Sequence, residues 1–375
     1  MDNFAFIIHP IDISDVSRKF GFMKKLPEGI VEGIMKNMPP VRVSHITGVK
    51  SPYNEVEGWF VGCPLTTRQM MTLPEEYVLK KIIKAGKLAE KLGARIVGLG
   101  AFTSVVGDAG ITIAKNLNIP VTTGNSYTVA TALEGAKKAA GIMGHDIKNA
   151  EVVVVGATGS IGRVCAEILA RECRFLTLVG RRTEKLEKIA DRILNDTGLS
   201  VRISSDVHSA LKRADVVITV TSSVDSVIDA GDLKPGAVVC DVARPRDVSR
   251  EVAEKRDDVL IIEGGVVEVP GDVDFHFNFG FPPKTSYACM AETMILALER
   301  RYENFTLGRD LTVEQVEEIS RLAKKHGFKL AGFRSFERAV TQEQIEKIKK
   351  NAQKKLEGAD KSGRGLTGRV CPVTT

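Results

Sequence analysis

A β-branched run, Glu151-Val-Val-Val-Val155, passes straight into Gly156-Ala-Thr-Gly159-Ser-Ile-Gly162 and then into an amphipathic stretch that ends near Arg171. Few folds accommodate that junction. A continuous apolar run with no polar alternation predicts a strand covered on both faces, the environment of a parallel sheet. Small residues after it allow a tight turn and a close backbone approach, and the helix that follows presents unpaired N–H groups and the positive end of its dipole. Ala157, Gly159 and Gly162 hold the positions of a G-x-G-x-x-G turn, with Gly156 directly ahead. Strand before and helix after are the context that separates a dinucleotide pyrophosphate site from a plain glycine turn. Gly156, Ala157, Thr158, Gly159, Ser160, Ile161 and Gly162 are therefore the candidate cofactor-binding residues.

The end of the next strand selects the dinucleotide. An NAD site places Asp or Glu there to hold the ribose 2′-hydroxyl. This chain reads Val179-Gly-Arg181-Arg182-Thr183 and offers no carboxylate. Two guanidinium groups suit an adenosine 2′-phosphate, so the reading is NADPH, with Arg181 and Arg182 as its phosphate partners. Thr219-Val-Thr221-Ser222-Ser223 follows a later strand, and topology places the small hydroxyl residues Thr221 and Ser222 near the nicotinamide half.

Strands and helices alternate on both sides of this junction. Phe4–Ile8 reads as a buried strand, with weaker candidates at Val41–Val49 and Trp59–Val61. Thr72 and Glu75 have the spacing of a capping box with Pro74 in the first turn, ahead of apolar residues at helical spacing (Val78, Ile82, Ala85, Ala89) and a stop at Gly93. After Pro283 the pattern becomes helical, with helices expected over Tyr287–Tyr302, Val313–Lys325 and Thr341–Leu356. The fold class is therefore α/β: an N-terminal α/β substrate domain over 1–135, a doubly wound parallel Rossmann domain over 136–285, a C-terminal helical segment over 286–357, and a tail over 358–375 with too little apolar content to order itself.

The six cysteines include no C-x-x-C pair, which argues against zinc and against a disulfide scaffold. The N-terminal apolar run is too short for a signal sequence, and no apolar segment approaches the ~18 residues that span a bilayer. A reduced, cytoplasmic enzyme is expected. The net charge of +6 is concentrated after Gln344. That basic stretch reads as a solvated helix or as a surface for an acidic carrier protein or an anionic membrane. Nucleic acid is disfavoured, because aromatic residues do not interleave with the basic ones.

The remaining feature is Phe281-Pro-Pro-Lys-Thr-Ser-Tyr-Ala-Cys289-Met-Ala-Glu292-Thr293, which sets a cysteine in the first turn of a helix, where the dipole favours thiolate. Taken alone, such a cysteine is more often a packing residue. The segment resembles the active-site cysteine helix of the cyanobacterial-type long-chain fatty acyl-[acyl-carrier-protein] reductases, which form aldehydes. Gly98-Leu-Gly-Ala-Phe-Thr-Ser104, Thr122-Thr-Gly-Asn-Ser-Tyr-Thr128, the 155–162 turn, Glu263-Gly-Gly-Val-Val-Glu268, Asn304-Phe-Thr-Leu-Gly-Arg309 and Lys325-His-Gly-Phe328 are similar to the family's motifs in the family's order, over about 45–330.

The resemblance implies that Cys289 takes the acyl group of a thioester, carried on acyl carrier protein or coenzyme A, and that NADPH then releases a fatty aldehyde. A tetrahedral intermediate needs oxyanion donors. Asn125 and the N–H groups at the start of the Cys289 helix are the candidates, and His276 is a weaker candidate for proton transfer. The stretch 269–281, with Phe275, Phe277 and Phe279 in alternation, departs from the family pattern and reads as an acyl-channel lining or a strand. Two other readings stay open: a shikimate- or amino-acid-type dehydrogenase with no covalent step, for which no convincing Lys–Asp pair is found, and a non-catalytic NADP-binding redox sensor.

Overall fold

The computed structural model describes residues 2–10 and 26–361, apart from 222, 224, 225, 244, 245, 279 and 337, with backbone alone for 359–361. The first unit comprises β1 (Asp2–Ile8), α1 (Glu28–Asn37), β2 (Val41–Lys50), β3 (Glu55–Gly62), α2 (Thr67–Thr72), α3 (Glu75–Lys91), β4 (Val97–Leu99), α4 (Ile111–Lys115) and β5 (Val121–Thr122). Its sheet runs β2-β3-β1-β4-β5. The pairs around β1 and β4 are parallel, as the strand–helix alternation predicts. The edge strand β2 is antiparallel to β3, because only the short Ser51–Asn54 turn joins them and no crossover is available.

Helix α5 (Asn125–Met143) leads into the second unit: β6 (Glu151–Val155), α6 (Ser160–Leu169), β7 (Phe175–Val179), α7 (Thr183–Thr197), β8 (Arg202–Ser204), α8 (Val207–Leu211), β9 (Val216–Thr219), β10 (Val238–Asp241), α9 (Arg250–Lys255) and β11 (Leu260–Glu263). Its sheet is parallel throughout, in the order β11-β10-β9-β6-β7-β8. This is the doubly wound sheet expected from the sequence. Val152, Val153, Val154 and Val155 are all buried, as their uniform apolarity requires. The strand order reverses direction on either side of β6, which makes the end of β6 the topological switch point where such sheets hold ligands.

The chain then forms β12 (Val266–Glu268), β13 (Thr285–Tyr287), α10 (Ala288–Leu298), α11 (Val313–His326), β14 (Lys329–Leu330), the hairpin β15 (Arg334–Ser335) with β16 (Arg338–Ala339), and α12 (Gln342–Lys361). Helix α10 is apolar nearly all round, the signature of a core helix. It packs on β1, β3 and β4 of the first sheet and against α5 and α11. Helix α12 lays Ile345, Ile348 and Ala352 on the core of the second unit, and Lys355 pairs with Asp257 at 2.8 Å and Asp258 at 3.1 Å. Of the tail expected over 358–375, residues 358–361 continue this helix and the remainder lies outside the described residues.

Two local expectations are corrected. The capping box belongs to Thr66 and Gln69 at the start of α2, not to Thr72 and Glu75. Thr72 instead closes that short helix, donating its hydroxyl to Arg68 O at 2.9 Å, and Pro74 takes the N-cap of α3. Among the described residues, the 269–281 stretch forms no strand beyond an isolated bridge from Asp274 to Thr47. Phe275 packs flat on Phe60 in the core and Phe277 meets the same ring edge-on; Phe279 lies outside the described residues.

Candidate active site

The glycine turn is built by close contacts that a side chain would block. Gly156 has φ +83°, a region costly for residues with a Cβ, and a Cβ there would lie 2.9 Å from Val220 O. The N–H groups of Gly156 and Ala157 donate to Val179 O at 2.9 and 3.0 Å. A Cβ on Gly162 would fall 2.3 Å from Gly156 O, so this position brings the helix onto the turn. Gly159 is the N-cap of α6 and is exposed, and Thr158 reaches across to Gly180. The first N–H groups of α6, from Ser160, Ile161 and Gly162, have no acceptor within the helix and are available to an anion. The Ser160 hydroxyl is enclosed and has no hydrogen-bond partner among the described residues.

Arg181 and Arg182 follow β7 and are exposed, and neither guanidinium has a partner among the described residues. They fit a dianionic phosphate, and the glycine cradle fits a pyrophosphate. The nicotinamide side is less open than the sequence suggests. Thr221 donates its hydroxyl and, at 2.9 Å, its N–H to the buried Asp247, which also accepts from the Thr219 hydroxyl. The Thr221 side chain is therefore tied to Asp247, and its hydroxyl proton is committed there. Ser222 lies outside the described residues.

Cys289 is the second residue of α10, where β13 turns directly into the helix, and Ala288 N–H donates to Gly265 O at 2.7 Å. The thiol residue is half-buried. Above it lies Gly124, φ +76°, where a Cβ would be 2.3 Å from Cys289 Cβ and 2.4 Å from Cys289 Cα. One turn further on, a Cβ on Gly98 would be 2.0 Å from Thr293 Oγ1. Gly98 and Gly124, both in the first-domain motifs, thus make the seat of the cysteine helix. Asn125 opens α5 next to Gly124 and is half-buried, and its side chain has no hydrogen bond among the described residues. His276 is spoken for elsewhere. It sits at φ +46° in an exposed turn, with Nδ1 2.8 Å from His45 O and Nε2 3.3 Å from Asp274.

The residue that sequence reasoning left without a role is Glu292. It is fully buried and hydrogen-bonded on both oxygens. Oε1 accepts from Thr122 Oγ1, from Thr306 Oγ1 at 3.0 Å and from Gly124 N–H at 3.2 Å; Oε2 accepts from Ser126 Oγ at 2.7 Å and Tyr127 N–H at 2.9 Å. Burial pushes its carboxyl above the usual range, and these donors hold the rise in check. A carboxylate amid Ala288-Cys-Met-Ala-Glu-Thr-Met-Ile-Leu298 was the available signal, since a charge on an apolar helix needs partners.

The two halves of the site are joined by α5. Its first turn rests on Cys289, and its middle lies on the second sheet, where Cys240 Sγ is 3.6 Å from Ala132 O and Gly264 sits close to Ala132.

With this geometry, comparison with known proteins is informative. The profile of the Shikimate / quinate 5-dehydrogenase family matches residues 136–262, the glycine-turn unit. The aminotransferase PigE of Serratia sp. is 33% identical over 298 residues, 78% of this chain; the chain spans only 35% of that protein's length. A long-chain acyl-[acyl-carrier-protein] reductase of Synechococcus elongatus is 28% identical over 329 residues, covering 84% of this chain and 94% of that protein. A glutamyl-tRNA reductase of Salinibacter ruber is 34% identical over 116 residues, 30% of this chain and 23% of that protein.

The chain carries a nicotinamide-cofactor-binding unit within the matched 136–262 span, and the reductases and dehydrogenases it resembles are oxidoreductases. Its likeness to the long-chain acyl-[acyl-carrier-protein] reductase is distant. Among the described residues no helix is long and apolar enough to cross a membrane.

Proposed function

We propose that this protein reduces a long-chain acyl thioester to a fatty aldehyde with NADPH, through a thioester on Cys289. The observation that carries the reading is the seat of Cys289: a half-buried thiol in the first turn of α10, pressed against the Gly124–Asn125 turn, in a chain that also holds a dinucleotide cradle. The names of the relatives, an acyl-[acyl-carrier-protein] reductase and glutamyl-tRNA reductases, share an acyl group joined to a carrier, and this supports the same chemistry here.

Cys289 Sγ attacks the thioester carbonyl as thiolate, which the dipole of α10 favours. The carbonyl oxygen takes up negative charge, for which the Asn125 amide and the α10 N–H groups beyond Ala288, whose own N–H is engaged by Gly265 O, are the candidate donors. Collapse expels the carrier thiol, which takes a proton, and leaves the acyl group on Cys289. NADPH, when bound, supplies the hydride that turns this acyl group into an aldehyde. In this second step the Cys289 thiolate is the leaving group. The balance is acyl thioester plus NADPH plus one proton, giving aldehyde, carrier thiol and NADP⁺. The first unit with α10 forms the acyl side, the 136–285 unit the cofactor side, and Arg181 with Arg182 the selection for the 2′-phosphate.

The test is intact-protein mass after incubation with palmitoyl-acyl carrier protein or palmitoyl-coenzyme A without cofactor, beside Cys289→Ala. An acyl-sized gain on the wild type alone, cleared by NADPH with release of aldehyde, supports the reading, and the donor that loads faster identifies the carrier. No adduct from either donor rejects the covalent route in favour of a dehydrogenase that acts without one.

A further inference from the structure

We infer that Glu292 is a positioning residue for Cys289: its two carboxylate oxygens fasten the Gly124–Tyr127 turn of α5 onto the cysteine helix. The inference rests on the reading of Cys289 as the nucleophile and assigns a role that the nucleophile's neighbours must fill.

The carboxylate lies one helical turn beyond the thiol. It is fully buried, and no Lys, Arg or His side chain pairs with it among the described residues. Taking a carboxylate out of water without a cation is expensive, and a well-packed apolar side chain would serve stability better at such a place. What the carboxylate supplies is acceptor capacity on two oxygens at once. Gly124 N–H and Tyr127 N–H arrive on different oxygens, at 3.2 and 2.9 Å, and the Ser126 hydroxyl joins the second. These donors all belong to the first turn of α5. The same turn carries Gly124, whose backbone lies against Cys289 Cα and Cβ, and Asn125, the oxyanion candidate. Thr306 and Thr122 close the first oxygen from other segments, so the carboxylate cannot drift toward solvent.

The arrangement forbids the amide isostere. A backbone N–H cannot turn round to accept. In either orientation of a glutamine, its NH₂ would face one of the two N–H groups, donor against donor. Glu292→Gln therefore keeps size and shape while forcing the α5 turn off one of its anchors. A displacement of the order of 1 Å at a reacting group can cost about 100-fold in rate.

The experiment is single-turnover acylation of Cys289, followed by intact mass against time with palmitoyl-acyl carrier protein and no NADPH, in wild type, Glu292→Gln, Ser126→Ala and Cys289→Ala. The expected result is acylation slowed by about 100-fold in Glu292→Gln at saturating donor, with KM for the donor changed less than about threefold. Ser126→Ala, which removes one donor and leaves both N–H anchors, slows it by about 3- to 10-fold. It carries the test alone if Glu292→Gln does not fold. Folded Glu292→Gln, or Ser126→Ala in its place, acylating at the wild-type rate overturns the inference, as does a change confined to KM. The underlying reading fails separately: it falls if wild type takes no acyl group, or if Cys289→Ala takes one.

Discussion

Gly124 and Cys289 are in backbone contact, and the space between them is smaller than one methyl group. A Cβ built on Gly124 would lie 2.3 Å from the Cys289 Cβ, and the backbone there is left-handed at φ +76°. Both facts bear on any side chain placed at 124. The left-handed region costs a non-glycine residue about 1 kcal/mol or more, and the collision adds to it unless the two helices separate.

Gly124→Ala is accordingly expected to lower kcat for acyl-thioester reduction by about 100-fold, because separation displaces the nucleophile from its oxyanion donors. Thermal unfolding should fall by several degrees, with NADPH binding retained. Fluorescence titration of NADPH beside steady-state turnover checks this. Wild-type turnover in Gly124→Ala would show that the contact is not part of the reactive geometry.

Arg181 and Arg182 give a prediction on cofactor choice. Both are exposed and unpaired among the described residues, so their removal should leave the fold untouched. A charge-assisted hydrogen bond contributes about 1.5–3 kcal/mol, so the double variant to alanine should raise KM for NADPH at least 10-fold. KM for NADH should not move, since NADH has no 2′-phosphate. The ratio of kcat/KM for the two cofactors is the measurement, and an equal loss with both would remove the arginines from phosphate recognition.

Asp258 governs part of the acid limb of stability. Burial pulls its carboxyl upward, but the two-pronged contact from Arg256, at 2.8 and 3.0 Å, and the Lys355 ammonium outweigh it and hold the pKa below the ordinary value. A depressed folded-state pKa gives stability that is fully present above the unfolded value, about 3.9, and is lost as pH falls through the lower folded one. Lys355 lies on α12, so the same titration loosens the attachment of that helix. Asp258→Asn should be less stable than wild type at neutral pH, and the gap should close as pH drops below about 4. Urea midpoints against pH read this directly; a gap that stays constant would mean that the charge of Asp258 is not the source.

How far the sequence carried depended on how local each feature is. The 151–162 junction and the cysteine helix are each written in about a dozen consecutive residues, so strand, turn, helix and thiol were placed within a few positions of where they lie. The hydrogen bonds of Glu292 come from residues 122–127 and from Thr306, and no spacing rule joins position 292 to position 124. Thr221 shows the reverse problem. Its place after β9 was legible, but its hydroxyl is captured by Asp247, more than twenty positions on, and only packing decides that. The capping box failed for a third reason: Thr66 with Gln69 and Thr72 with Glu75 satisfy the same pattern within one short segment. Pro74 gave the second pair an appeal that the actual N-cap does not need.

Helix α5 fixes a length. Its N-cap Gly124 lies against Cys289, and its middle lies on β9, β10 and β11 of the second sheet, with no loop between those two contacts. Each residue of an α-helix advances the chain 1.5 Å and turns it by about 100°. One residue inserted or removed between Asn125 and Ala132 would shift the thiol relative to the second sheet and swing Asn125 to another face. The span works as a gauge block: loops elsewhere can vary in length, while this interval sets how the cysteine helix stands relative to the second sheet.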